Sequence, residues 1–216
     1  MTLKLYYHPL SSFCQKTLMA LYENDTPFEP KLVDFGDTKS REEFLEMWPI
    51  GRFPVLKDEA RDHFVPESSI IIEYLDQYYP GKTKFVPADP EAARQMRMRD
   101  RFFDLYVNVQ MQKIVTDRIR PEGKHDPFGV DQAKGTLKAA LDLIDEAMSK
   151  KTFAIGDVLS MADCAAAPAL FYANQVMPFS DTHRHAFAYY KRLSARPSYA
   201  RALKEAEPYW ANFPKG

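Results

Sequence analysis

Every strand-like stretch in this chain falls before residue 66, interleaved with helical stretches, and from Glu91 onward the apolar residues recur only at helical spacing. A chain built this way folds as an α/β layer followed by helices packed on helices. Leu3, Leu5 and Tyr7 alternate as a strand. Phe13 to Glu23 reads as a helix with Thr17, Leu18 and Leu21 inward, and Phe28 to Val33 as a second strand. Ser40, with Glu43 at the capping-box position, is expected to open a helix whose apolar side is Phe44, Leu45 and Met47. A strand at Val55 to Lys57, a polar turn at Asp58 to Asp62, a strand at Phe64-Val65 and a helix running to Tyr79 complete a β-α-β-α-β-β-α order. Tyr79-Pro80-Gly81 stops that helix, so the expected division is an α/β domain over 1–80, a linker over 81–90 containing Pro87 and Pro90, and an all-α domain over 91–216.

Five or six helices are expected in the second half. Ala92, Met96, Phe103, Val107, Met111 and Ile114 share one helical stripe, and Ala133, Leu137, Leu141, Ile144 and Met148 another, with a breaker-rich loop at 120–127 between them. Ser160-Met161-Ala162-Asp163 precedes the nearly all-apolar run Cys164 to Phe171. Ser160 and Asp163 stand at capping-box spacing, which satisfies the free N–H groups of a helix start in apolar surroundings. The helix that follows is expected to cross the core, a role in folding rather than chemistry.

Two short motifs in the first half suggest a site. In Arg52-Phe53-Pro54-Val55-Leu56, a proline opens a strand, where its missing N–H does no harm, and it is a candidate for a cis bond. A cis bond would turn the Phe53 backbone outward, free to pair with an extended peptide as an added strand does. In Pro66-Glu67-Ser68-Ser69, Glu67 and Ser68 stand at a helix start, where unpartnered N–H groups and the macrodipole favour an α-carboxylate and Glu67 is free to take an ammonium beside it. Ser11 lies in the loop leaving the first strand, just before the helix from Phe13. A hydroxyl there, with helix N–H groups beside it, can stabilise a thiolate by hydrogen bond and dipole.

With Ser11-Ser12-Phe13-Cys14, Pro54 and Glu67-Ser68 in this order, the whole chain resembles the cytosolic glutathione S-transferases of the serine type, related to the theta, zeta and phi classes. The resemblance implies a thioredoxin-like first domain and an all-α second domain, glutathione as co-substrate, and a two-fold homodimer. It places Arg52, Phe53, Pro54, Glu67 and Ser68 at the glutathione, and Ser11 or Ser12 at the thiol, with Ser11 favoured by motif alignment. Arg52 stands where family members usually carry Lys, and Phe53 where Val is more common. The omega-type and glutaredoxin-like relatives carry Cys where Ser11 stands. A hydroxyl cannot form a mixed disulfide, so thiolate activation is expected and disulfide exchange is not. Cys14 reads as a buried core thiol.

The energetics of such activation are modest. A free thiol with a pKa of about 8.5 is only about 3% ionised at pH 7. A hydrogen bond to the anion contributes roughly 1.5 to 3 kcal/mol and a helix end roughly 0.3 to 1, together about 2 pKa units. By the same resemblance the second-substrate pocket lies between Ser11 and the first long helix of the α-domain, with Leu10, Phe103, Tyr106 and Phe171 as its expected lining. The expected reaction conjugates glutathione to an electrophilic, apolar small molecule. A zeta-like isomerase, a peroxidase or a dehalogenase would use the same site, and a non-catalytic ligand-binding or interaction module is the reading of another class.

Composition narrows the remaining options. With 29 Lys+Arg against 30 Asp+Glu the net charge is −1, so no electrostatic argument favours nucleic acid or an anionic membrane. No apolar run approaches the ~18 residues of a membrane span, and the chain begins on a strand pattern rather than a signal peptide. Two cysteines, Cys14 and Cys164, give no disulfide framework and suit a cytoplasmic setting. The five histidines lack metal-ligand spacing with cysteine, and no metal is expected.

Overall fold

A computed structural model describes residues 2–214. A four-stranded mixed sheet runs in the order β2-β1-β3-β4, built from β1 (Leu3–Tyr7), β2 (Glu29–Leu32), β3 (Val55–Asp58) and β4 (His63–Pro66). β1 pairs parallel with β2 through Leu5 and Pro30 and antiparallel with β3 through Leu5 and Leu56, while β3 and β4 pair antiparallel through Leu56 and Val65. Successive strand residues face opposite sides. Leu3, Leu5 and Leu56 therefore join the main core, whereas Val55 and Tyr6 turn to a smaller cluster with Val33, Phe44 and Phe53. The Phe53–Pro54 peptide bond is cis.

Helix α1 (Ser12–Glu23) and α3 (Ser68–Tyr78) cover the first face, and α2 (Thr38–Met47) covers the second. The expected start of α2 at Ser40 is corrected by three residues. Asp37 is the cap, its carboxylate accepting from the Ser40 N–H at 2.7 Å, and Ser40 instead uses its hydroxyl to hold the Asp34 N–H at 2.9 Å. An Asp side chain caps as well as Ser does, and its earlier position lets the helix gain most of another turn.

Beyond residue 89 the named elements among the described residues are all helical: α4 (Pro90–Phe102), a π-helical turn (Phe103–Asn108), α5 (Val109–Arg118), α6 (Pro127–Met148), α7 (Met161–Val176), α8 (Arg184–Ser194), α9 (Pro197–Ala206) and a 3₁₀ turn (Glu207–Asn212). Met96, Phe103, Val107, Met111 and Ile114 are all buried, as the single stripe requires. Helix α7 is buried on nearly every side. At its start the Asp163 carboxylate accepts from the Ser160 N–H and hydroxyl at 2.8 Å each, from the Ala154 N–H at 2.8 Å and from the Tyr189 hydroxyl at 2.5 Å. Burial pushes the Asp163 carboxyl above its ordinary value in spite of these donors.

Both halves meet on α1. Lys16 is fully buried and reaches Asp100 of α4 at 2.7 Å, Asp104 of the π-helical turn at 2.9 Å and Ser69 of α3 at 2.8 Å. At its far end Glu23 takes two hydrogen bonds from the Arg196 guanidinium, at 2.6 and 2.9 Å, and one from Ser198 at 2.7 Å. Position on this helix is thus fixed from both sides of the molecule.

Candidate active site

The site forms at one end of three strands, where β1 and β4 finish and β3 begins. Tyr6 of β1 pairs with Val55 of β3, and Val55 pairs with Pro66 of β4. The loop after β1, the Phe53–Pro54 peptide and the start of α3 therefore leave one edge of the sheet together. Beside this edge a cleft of about 360 Å³ is lined by Leu10, Ser11, Ser12, Arg52 and Phe53, with Met111 and Val115 of α5, Tyr172 of α7 and Phe213 among its other walls.

Ser11 is the N-cap of α1, its hydroxyl oxygen accepting from the Cys14 N–H at 3.3 Å. A hydroxyl that accepts one hydrogen bond keeps its own proton to donate, so capping and thiolate stabilisation are compatible. Ser12 is buried as the first residue of the helix. Cys14 is fully buried, and burial pushes its thiol up to about 12, against hydrogen bonds from Ser11 and His8. The thiol is therefore inert at neutral pH.

Among the described residues the Phe53 N–H and C=O have no hydrogen-bond partner, and Arg52, exposed at the rim, has no acidic partner within 4 Å. Glu67 is also exposed and has φ 71° and ψ 119°, a backbone region that L-residues rarely enter. It stands at the N-cap position of α3 but makes no capping bond with its side chain, which leaves both that carboxylate and the first N–H groups of the helix unoccupied by the protein itself. Strain of this kind, about 1 to 3 kcal/mol, persists where surrounding structure holds it and is concentrated at functional sites. Ser68 is buried beside it. Pro54, Glu67 and Ser68 flank the sheet edge without lining the cleft, while Ser11, Ser12, Arg52 and Phe53 line it directly.

Only Leu10 of the four expected second-pocket residues lines the cleft. Phe103 is 2% exposed and faces the core, edge-on to Phe102. Tyr106 is 49% exposed and belongs to a separate shallow groove with Phe102, Ala139 and Leu143. Phe171 stacks on Trp210 at 5.5 Å behind the cleft wall. The cleft lies beyond the π-helical turn over 103–108, so Met111, Gln112, Val115 and Thr116 of α5 present its wall, whereas Phe103 and Tyr106 stand within the turn itself. Asn212, Phe213 and Pro214 close it from the end of the chain. The only sequence signal for that last wall is the aromatic cluster Tyr209, Trp210 and Phe213 beyond the final amphipathic helix. Among the described residues no three His, Cys, Asp or Glu side chains stand together to hold a metal ion, and no helix is long and apolar enough to cross a membrane.

Two family descriptions match this chain, "Glutathione S-transferase, N-terminal domain" over residues 5–83 and "Glutathione S-transferase, C-terminal domain" over residues 127–192. The chain belongs to the glutathione S-transferase family. It is 34% identical over 163 residues to rat glutathione S-transferase omega-1, a match covering 74% of this chain and 63% of the rat protein. It is 28% identical over 223 residues to dichloromethane dehalogenase of Methylorubrum extorquens, covering 94% of this chain and 75% of that protein. In fold it is similar to a glutathione S-transferase of Methylobacillus flagellatus solved with glutathione bound, with a TM-score of 0.85 at 22% identity over 93% of this chain and 98% of that one.

Proposed function

We propose that this chain binds reduced glutathione along the sheet edge, ionises its thiol with the Ser11 hydroxyl, and directs the thiolate at an electrophilic, apolar small molecule held in the adjoining cleft. The observation that carries this reading is the convergence of Ser11, Arg52 and Phe53 on one cleft, with the strained Glu67 at the helix start on the same edge. The Phe53 N–H and C=O suit the backbone of the cysteinyl residue. Glu67, Ser68 and the α3 N–H groups suit the ammonium and carboxylate of the γ-glutamyl end, and Arg52 suits the glycine carboxylate. Ser11 is favoured over Ser12 because it sits in the loop on the cleft wall, whereas Ser12 is buried inside the first helical turn.

In this reading residues 1–80 hold glutathione and 91–216 supply the second pocket, joined by 81–90. Similarity to the omega-type relative does not carry disulfide exchange with it, since Ser11 replaces the cysteine of that class and Cys14 is buried. Dehalogenation by the same thiolate is the second reading, supported by the dehalogenase relative. A two-fold homodimer is favoured by the exposed apolar residues Ile50, Phe64, Ile70 and Leu143, and a cytoplasmic setting by two buried, unbridged cysteines. Calorimetry with reduced glutathione, followed by turnover of a generic aryl halide, tests the reading. Micromolar to millimolar binding with measurable conjugation is expected, and absence of binding overturns it.

A further inference from the structure

The loop that carries Ser11 is held by side chains from far along the chain. The Leu10 N–H donates to His8 Nδ1 at 3.2 Å and the Ser11 N–H to the His8 carbonyl at 3.0 Å. The Leu10 carbonyl accepts from the Tyr172 hydroxyl of α7 at 2.7 Å. Gln15 Nε2 bridges the same region, donating to the Pro9 carbonyl at 2.9 Å and to the Tyr172 hydroxyl oxygen at 3.0 Å. Behind it the Tyr199 hydroxyl of α9 donates to Gln15 Oε1 at 3.0 Å, which fixes the amide with its NH₂ toward the loop. The chain of bonds therefore runs from α9 through α1 and α7 to the carbonyl one residue before Ser11.

Tyr172 stands at the end of this chain and also on the wall of the cleft, its ring edge-on to Trp210 and packed against Phe213. A phenol has one proton, and this one is committed to the Leu10 carbonyl. Tyr172 therefore has no proton left for a thiolate in the cleft. Burial raises its pKa, so it stays a neutral donor throughout the working range.

We propose that Tyr172 is a positioning residue for the thiol-activating serine, setting the Ser11 hydroxyl through the Leu10 carbonyl, with Gln15 and Tyr199 holding the tyrosine in turn. The inference rests on the assignment of Ser11 as the thiol activator. Removing the bond leaves the Leu10–Ser11 peptide held only through its N–H on the His8 carbonyl, so the peptide can tilt and Ser11 loses part of the orientation that aims its proton at the sulfur. The γ-glutamyl and glycine contacts, carried by other loops, are untouched.

Ultraviolet titration of the glutathione thiolate bound to wild type, Tyr172→Phe and Tyr199→Phe tests this, with calorimetric affinity and steady-state kinetics for each. Tyr172→Phe keeps the ring, and so the cleft wall and the core, while deleting the hydroxyl. The expected result is a bound-thiol pKa raised by about one unit, with kcat at pH 6.5 lowered roughly fivefold to tenfold and glutathione affinity within twofold of wild type. Tyr199→Phe, two bonds further back through Gln15, should give a smaller shift of the same sign. A wild-type pKa and kcat in Tyr172→Phe would overturn the inference. So would a parallel loss of glutathione affinity and thermal stability with no pKa change, which marks a merely structural role. If wild type itself binds glutathione without lowering its thiol pKa, or if Ser11→Ala leaves that pKa unchanged, the assignment of Ser11 fails and the role of Tyr172 falls with it.

Discussion

Lys16 Nζ lies 2.9 Å from Asp104 Oδ2 in an environment where both side chains are almost wholly withdrawn from water. Burial alone would lower the ammonium pKa, but Asp104 and Asp100 more than offset this and hold it above its ordinary value. Burial, opposed by Lys16 and reinforced by Asp100, raises the Asp104 carboxyl. Breaking such a pair leaves uncompensated buried charge, so Lys16→Met should destabilise the fold by about 3 to 5 kcal/mol in urea denaturation. Lys16→Met combined with Asp100→Asn and Asp104→Asn should recover part of that loss. A single variant as stable as wild type would show that water already reaches the cluster.

Glu23 gives a pH dependence of defined sign. Burial raises its carboxyl, but the hydrogen bonds from Arg196 and Ser198 outweigh that and hold it below the ordinary glutamate value. A depressed folded-state pKa contributes stability above the unfolded value of about 4.3 that is lost as pH falls through the folded one. The difference in Tm between wild type and Glu23→Gln should therefore be largest near neutrality and shrink below about pH 4. A constant difference across pH 3 to 7 would contradict the assignment.

Glu67 should separate strain from binding. Glu67→Ala and Ser68→Ala are each expected to weaken glutathione binding by roughly 1.5 to 3 kcal/mol with the fold intact. Glu67→Gly should lose the same affinity but be more stable than Glu67→Ala by about 1 kcal/mol, because glycine accepts φ 71° without a Cβ clash. Calorimetry and thermal melts on the three variants decide both halves. Unchanged affinity in Glu67→Ala and Ser68→Ala would remove them from the site.

Ser11→Ala should raise the bound-thiol pKa by about 1 to 2 units and lower turnover at pH 6.5 roughly tenfold to a hundredfold, while glutathione affinity stays near wild type. Loss of the cap to the Cys14 N–H should also cost about 1 kcal/mol of stability. Ser12→Ala should do much less to the pKa. A wild-type pKa and rate in Ser11→Ala would pass the role to another donor.

Ser11→Cys should gain exchange with glutathione-containing disulfides as conjugation falls. Although Cys14 stands at the spacing of a resolving thiol, its burial and a thiol pKa pushed up to about 12 keep it out of the reaction. Exchange by Ser11→Cys/Cys14→Ser should therefore match that of Ser11→Cys in a coupled disulfide-reduction assay.

The order of strands and helices was legible from the chain alone because strand alternation and helical periodicity report the buried face of each element directly. Pro54 opening a strand and Ser160 with Asp163 before an apolar run needed no structure either, since each answers a local problem of hydrogen bonding. Ser11, Phe53 and Glu67 were legible as candidates for the same reason, since they sit in loops and helix starts whose chemistry is set within a few residues, whereas Arg52 rested on the family resemblance. The second pocket was not of that kind. Periodicity marks Phe103 and Met111 alike as inward and both are buried, but only the packing of α5 beside Tyr172 and Phe213 decides that Met111 also faces the cleft. Nothing in the sequence marks Lys16 as buried, because the two acids that close around it lie 84 and 88 positions away. The hold of Tyr172 on Leu10 spans 162 positions, so it too is invisible until the helices pack. Local residues determine where elements begin, end and face; which distant side chains meet across them is decided only by packing, because burial and charge pairing over such separations exist in the folded state alone.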